Sequence, residues 1–367
     1  MIDDGAGATP VSGKAPASTA RRVLQGVVSL GLVVAIFVLV LPQVADLSEV
    51  WDEVRAMTAF EVTTLSVVAL WNLVSYAFVW MACLPGLTFP QAVVAAEAPT
   101  ALANTVPAGS YLSIGLTYGM FHSWGSSRSK VTLALLVSGI WNNFAKLGLP
   151  VLALALLALE GGVSAARVLA GLGGIGALLM AIALFALALR SDAMAARIGN
   201  RAAAVTSWFV GLAGRPPVSG WDLALVRFRA KTIDLLGARW RLITVATVVS
   251  HLSLFLVLFV ALRHIGVSQQ EVTWVQGLAA FSFTRLVTAI PLTPGGVGVV
   301  ELALTGALVT AGGDRPELVA AVLVYRFLTY VLPVPIGALA YVVWRRNRRW
   351  RKPASPSEAS SPVLAAG

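Results

Sequence analysis

Cysteine and histidine are nearly missing from this chain. The single cysteine, Cys83, excludes an internal disulfide and a Cys-rich zinc site. The three histidines, His122, His251 and His264, are scattered and show no HExxH-like spacing. No GxSxG turn and no P-loop occur. With no catalytic constellation visible, neither an enzyme nor a protein with a metal or other cofactor is expected. Charge is scarce as well. Charged residues are 12% of the 367 and hydrophobic ones 57%, against about 25% charged in a soluble domain. So little polar surface cannot keep a compact chain in water. The expected fold class is an all-α integral membrane protein of the cell membrane, multi-pass.

What is abundant is long apolar runs. A helix needs about 20 apolar residues to cross a bilayer, and six stretches meet that requirement: 23–42, 62–82, 131–158, 167–189, 242–263 and 318–344. Residues 1–20 and 353–367, rich in Ala, Ser, Pro and Gly, read as disordered tails. Arg21-Arg22 before an apolar run also fits a secretion signal. The run over 23–41 is long for one and no clear A-x-A site follows, so a retained first span is expected.

Basic residues set the orientation, because cytoplasmic loops collect Lys and Arg. Segment 43–61 has five acids and one base; segment 190–241 has nine bases and three acids; residues 345–352 hold six bases. With both termini cytoplasmic, 20 of the 27 bases fall inside and four outside. The remaining three, Lys146, Arg285 and Arg326, lie within the membrane. The net charge of +10 is thus mostly topology, with basic loops also suited to anionic lipid. No nucleic-acid partner is expected, since no aromatic-rich soluble domain accompanies the bases.

Two further apolar stretches, 92–120 and 275–311, are broken near their middles. The first break contains Pro107 and Gly109, the second Pro291, Pro294, Gly295, Gly296 and Gly298. Proline removes a backbone donor and glycine weakens a helix. Open backbone groups are costly in lipid, so each stretch is expected to form two half-helices that dip in and return on one side. This gives two inverted repeats, 21–158 and 159–345, the second carrying a basic cytoplasmic loop at 190–241; a basic and then disordered tail, 346–367, follows. Aligning Pro107 on Pro294 places Gly109 on Gly296 and Gly119 on Gly306. Inverted repeats with paired broken helices mark many transporters, whose sites lie near the midplane.

The run Pro291-Leu-Thr-Pro-Gly-Gly-Val-Gly-Val-Val-Glu301 resembles the P-x-T-P-G-G-x-G-x-x-E signature of the flippase-like membrane domain of the lysylphosphatidylglycerol synthases. Arg326, Tyr330, Pro333 and Gly337 resemble that family's last-span pattern. The likeness covers roughly residues 20–345. One departure stands out: the first-half position matching Glu301 is Ile114, where many relatives carry an acid. Only residues 345–367 follow the last predicted span. The resemblance therefore implies lipid translocation, not the aminoacyl transfer of the synthase's soluble domain.

Several residues have two readings each. Glu301 fits a helix cap or a partner of Arg285, and equally a proton or cation site. Arg285 and Arg326 fit a buried ion pair with Glu301, or a bidentate clamp on a lipid phosphate. Gly295, Gly296 and Gly298 permit the turn, or offer backbone N–H groups to an anion. Asn143 and Lys146 share a helix face in span three and suit interhelical hydrogen bonding or head-group contact. Glu97 is placed either against Lys146 or at the interface. His251 is expected as a core histidine. The function expected is translocation of a phospholipid or lipid-linked intermediate with an anionic head group, membrane lipids being the partners. The alternatives are an integral-membrane transferase acting on a lipid carrier and a scaffold of a cell-envelope complex.

Overall fold

A computed structural model describes residues 52, 55–106, 109–161, 165–212, 216–287, 296–313 and 315–352. The predicted span 23–42, both tails, and the predicted break residues Pro107, Pro291, Pro294 and Gly295 lie outside the described residues. Every regular element described is helical. Helix α1 is Ala59–Cys83, α2 Phe89–Thr105, α3 Gly109–Ser123, α4 Arg128–Leu159, α5 Ala165–Arg190 and α6 Asp192–Leu212. Helix α7 is Trp221–His264, α8 Trp274–Val287, α9 Val299–Ala311, α10 Arg315–Arg326 and α11 Pro333–Arg346. The chain is an all-α membrane protein. Among the described residues, five helical stretches are long and apolar enough to cross a bilayer: α1, α4, Gly171–Arg190 in α5, α7, and Pro316–Arg346.

Local chemistry fixes the helix starts. Thr58 and Glu61 form a reciprocal capping box at the head of α1. Ser127 caps α4 by accepting the Lys130 N–H. Gly220, at φ +79°, precedes α7 and lets the chain turn sharply into it.

Both broken stretches are broken where expected. Helices α2 and α3, of 17 and 15 residues, pack against each other; so do α8 and α9, of 14 and 13 residues. At 1.5 Å per residue each is about 20–25 Å long, short of a 30 Å hydrocarbon core. Their packing partners are exchanged. Helix α2 packs along α11, α8 packs along α4, and α1 lies against α7. The α2–α11 seam is tight: a Cβ on Gly337 would lie 2.2 Å from the Glu97 carbonyl oxygen.

One expectation changes and one gains detail. Segment 190–241 is no loop but mainly helix, formed by α6 and the first half of α7. Its alanines and arginines are strong helix formers, and Arg229 ties α7 to α6 through Asp192 Oδ1 at 2.8 Å and to the end of α5 through the Leu189 carbonyl at 2.9 Å. The last predicted span, 318–344, is present within Pro316–Arg346 and contains a π turn over Phe327–Val331. Pro333 has no N–H to give, and the ladder widens just before it, with Leu332 N–H donating to the Phe327 carbonyl at 2.8 Å.

Candidate functional site

Two apolar clusters make up the core. One gathers Leu65, Leu149, Phe255 and Leu258 with α8, α9 and α10; the other gathers Ala77, Trp80, Val131, Val137 and Ile243 with α2 and α3. Between them, α1, α4 and α7 each carry polar residues. These are Asn72 and Ser75 on α1, Asn142 and Lys146 on α4, and Ser250, His251 and Ser253 on α7. The polar layer stitches α1 to α7 through Ser75 Oγ, 3.2 Å from Ser250 Oγ and 3.0 Å from Ser253 Oγ, and through Ser253 Oγ donating to Asn72 Oδ1 at 3.1 Å. Each polar set falls near the middle of an apolar stretch (in α7 the stretch 242–263 rather than the whole helix), which puts the layer at mid-height of the apolar body.

A cavity of about 400 Å³ opens in this layer. That size lies within the range of about 300–1,000 Å³ usual for ligand pockets. Lys146, Arg285, Arg326 and Gly296, four of the residues singled out in the sequence, line it together. Glu97, Asn142 and His251 line it too, as do Tyr76, Tyr325 and Tyr330. Glu97 is only 5% exposed, and its Oε2 has no hydrogen-bond partner. It shares the cavity with Lys146 without an ion pair between them. His251 donates or accepts through Nδ1 at the Thr247 carbonyl, 3.0 Å away, and its Nε2 is buried without a partner. It is thus a half-satisfied core histidine on the wall of the cavity.

Glu301 is placed by α9. Gly298, at φ +82°, caps that helix, and its N–H donates to Glu301 Oε2 at 2.7 Å. The other carboxylate oxygen accepts Arg326 Nε at 2.7 Å, with both side chains about nine-tenths buried. Glu301 is therefore both cap and ion-pair member, and its partner at that oxygen is Arg326. Gly298 therefore spends its N–H on the cap, not on an anion. The Arg326 guanidinium also stacks over the Tyr330 ring, 4.5 Å from its centroid.

Tyr330 ties the last span to the first broken hairpin. Its hydroxyl donates to the Asn104 carbonyl at 2.7 Å, and Asn104 Nδ2 donates back to the Tyr330 carbonyl at 3.1 Å. Asn104 lies at the end of α2, and Gly109 resumes the chain as α3. A Cβ there would lie 2.3 Å from the Leu102 carbonyl oxygen, so only glycine allows the two half-helices to approach so closely. Asn143 is the misplaced residue of the sequence reading. It is exposed and donates to the Gly139 carbonyl at 3.0 Å, and Asn142 takes the cavity side instead. One helical position is 100°, and the i, i+4 pair Asn142–Lys146 faces inward. Asn72, Tyr76 and Asn104 were missed, although a polar residue near the centre of an apolar stretch is the signal that finds such positions.

Comparison with known proteins agrees with this architecture. Residues 26–337 match the family described as the lysylphosphatidylglycerol synthase TM region. A UPF0104 membrane protein of Methanocaldococcus jannaschii is 42% identical over 64 residues, which is 17% of this chain and 27% of that protein.

Proposed function

We propose, since this chain belongs to the lysylphosphatidylglycerol synthase TM-region family, that it moves an amphiphile with an anionic head group across the cell membrane. The observation that carries this reading is the shared cavity wall of Lys146, Arg285 and Arg326 at mid-height of the helical body. Three bases and one acid, Glu97, line the cavity, and a neighbouring acid, Glu301, is committed to Arg326. A buried cation is costly unless an anion answers it. A phosphate head group entering the cavity would meet that need, with the arginine forks as its bidentate donors.

The exchanged packing of α2 with α11 and α8 with α4 supports two inverted repeats, each holding one broken hairpin. Two hairpins of opposite orientation bracket the cavity, a geometry suited to opening it to either leaflet in turn. The basic segment 190–241 and the bases of 345–352 favour cytoplasmic placement of that face and of both termini.

The test uses purified protein in liposomes carrying fluorescent lipids with anionic or zwitterionic head groups, with and without a proton gradient. Anionic lipid is expected to cross, and Arg285→Ala and Lys146→Ala to slow it in folded protein. Transport of zwitterionic lipid alone, unchanged by either variant, would overturn the reading. So would the absence of transport for every lipid tried.

A further inference from the structure

A second hollow lies outside the central site. A groove of about 500 Å³ opens between the first turns of α4, the middle of α6 and the first half of α7. Its floor is apolar, built from Leu133 and Leu136 of α4, Ile198 and Ala202 of α6, and Phe228 of α7. Backbone crowds one side: a Cβ on Gly199 would lie 2.5 Å from the Trp221 carbonyl oxygen, so α6 crosses the start of α7 with nothing between them.

The rim is cationic. Arg227 and Lys231 line the groove from one face of α7, four residues apart. Both are exposed, and no acid forms an ion pair with either among the described residues. The Lys231 ammonium donates to the Ser129 hydroxyl, which sits in the first turn of α4. The first turn of α4, with its partial positive charge, therefore lies beside the same mouth. Further along α6, Trp208 and Phe209 are 63% and 61% exposed, aromatic rings of the kind found where a helix meets head groups.

We propose that this groove holds an anionic phospholipid, with acyl chain on the apolar floor and phosphate between Arg227, Lys231 and the start of α4. Charge decides the occupant. The chain's own basic stretches, Arg21-Arg22 and 345–352, would meet like charge at this rim, and a zwitterionic head group brings a cation along with its phosphate. The site goes beyond the transport reading and does not depend on translocation at all.

The experiment equilibrates the purified full chain with mixed micelles holding equal amounts of phosphatidylglycerol and phosphatidylcholine, then measures retained lipid by native mass spectrometry. Phosphatidylglycerol should be enriched. Each base near an anionic surface is worth about fivefold, so Arg227→Gln with Lys231→Gln should cut the enrichment by about tenfold or more. The swap Arg227→Lys with Lys231→Arg should restore it. Ala202→Trp, which fills the floor and leaves the rim intact, should lower retained lipid, and a thermal unfolding curve checks that each variant is folded. Equal retention of the two lipids by the wild-type chain would overturn the proposal, as would enrichment that survives the double substitution. Loss of enrichment in Arg285→Ala but not in the rim variant would assign the anion to the central cavity instead. A cysteine at 202, on a Cys83→Ala background, that cross-links to one placed within 21–42 would give the groove to the chain itself and overturn the proposal as well.

Discussion

The two broken hairpins are alike in length and unlike in chemistry. The second, α8–α9, carries its acid on the returning half-helix, where Glu301 closes a cap and binds Arg326. The first, α2–α3, has Ile114 at the matching place, 54% exposed. Its acid, Glu97, lies on the entering half-helix, with one buried oxygen unpartnered. The first hairpin is instead held by close contact and neutral hydrogen bonds: Gly337 against Glu97, Gly109 against Leu102, and Asn104 with Tyr330. One hairpin is locked by charge and the other by shape, which leaves the carboxylate of the shape-locked hairpin available to the cavity.

The largest effect concerns orientation. On a Cys83→Ala background, cysteines at Ser126, just beyond α3, and at Thr310, in the last turn of α9, should label from opposite faces of the membrane, with Gly211→Cys sharing the face of Ser126. Labelling of positions 126 and 310 from one face would remove the inverted relation between the hairpins. The next test sets one acid against the other. Removing one member of a buried ion pair costs about 3–5 kcal/mol, so Glu301→Ala and Arg326→Ala should lower the thermal midpoint sharply. Glu97→Gln, which breaks no pair, should change stability by no more than about 1 kcal/mol. Arg326→Lys, retaining charge but not the fork, should fall between. Similar losses for Glu97→Gln and Glu301→Ala would erase the difference between the charge-locked and shape-locked hairpins.

A smaller effect is expected at the shape-locked seam. Gly337→Ala must push α11 away from α2 and should cost about 1–3 kcal/mol by overpacking, read as a lowered thermal midpoint. The smallest is a pH effect outside the membrane. In the linker after α7, Glu271 accepts the Ser268 backbone N–H at 2.6 Å, and that bond holds its carboxyl below the usual value of about 4.3. A lowered folded pKa gives stability that is present above the unfolded pKa and lost as pH falls through the folded one. The midpoint of the wild-type chain should therefore drop slightly more than that of Glu271→Gln between about pH 6 and pH 3. Parallel curves would show that the capping bond adds nothing.

Much of this was legible before the structure. Length and apolarity alone mark α1, α4, α5, α7 and the last span, because a bilayer imposes its thickness on the sequence. Proline and glycine runs mark both breaks, because they disrupt the backbone ladder wherever they occur. The convergence of Lys146, Arg285 and Arg326 was foreshadowed by their being the only bases left within apolar stretches. Partner choice was not legible. Glu301 had two arginines within plausible reach, and only the three-dimensional placement of α9 beside α10 selects Arg326. Nor could the sequence separate Asn142 from Asn143, since adjacent positions differ only in the roll of α4. Segment 190–241 was read as a loop for its charge, yet alanine and arginine are helix formers whatever surrounds them.

Helix α7 runs for 44 residues without interruption, about 66 Å at 1.5 Å per residue and more than twice the thickness of a hydrocarbon core. Like α4 it touches both hollows, with Arg227 on the rim of the groove and His251 on the wall of the cavity. Those residues are 24 positions apart, about 36 Å along a stiff rod. A rod of that length is a lever: tilting it by about 5° around His251 sweeps Arg227 through about 3 Å. Whatever grips the long arm at the membrane surface therefore exerts torque on the short arm at mid-height.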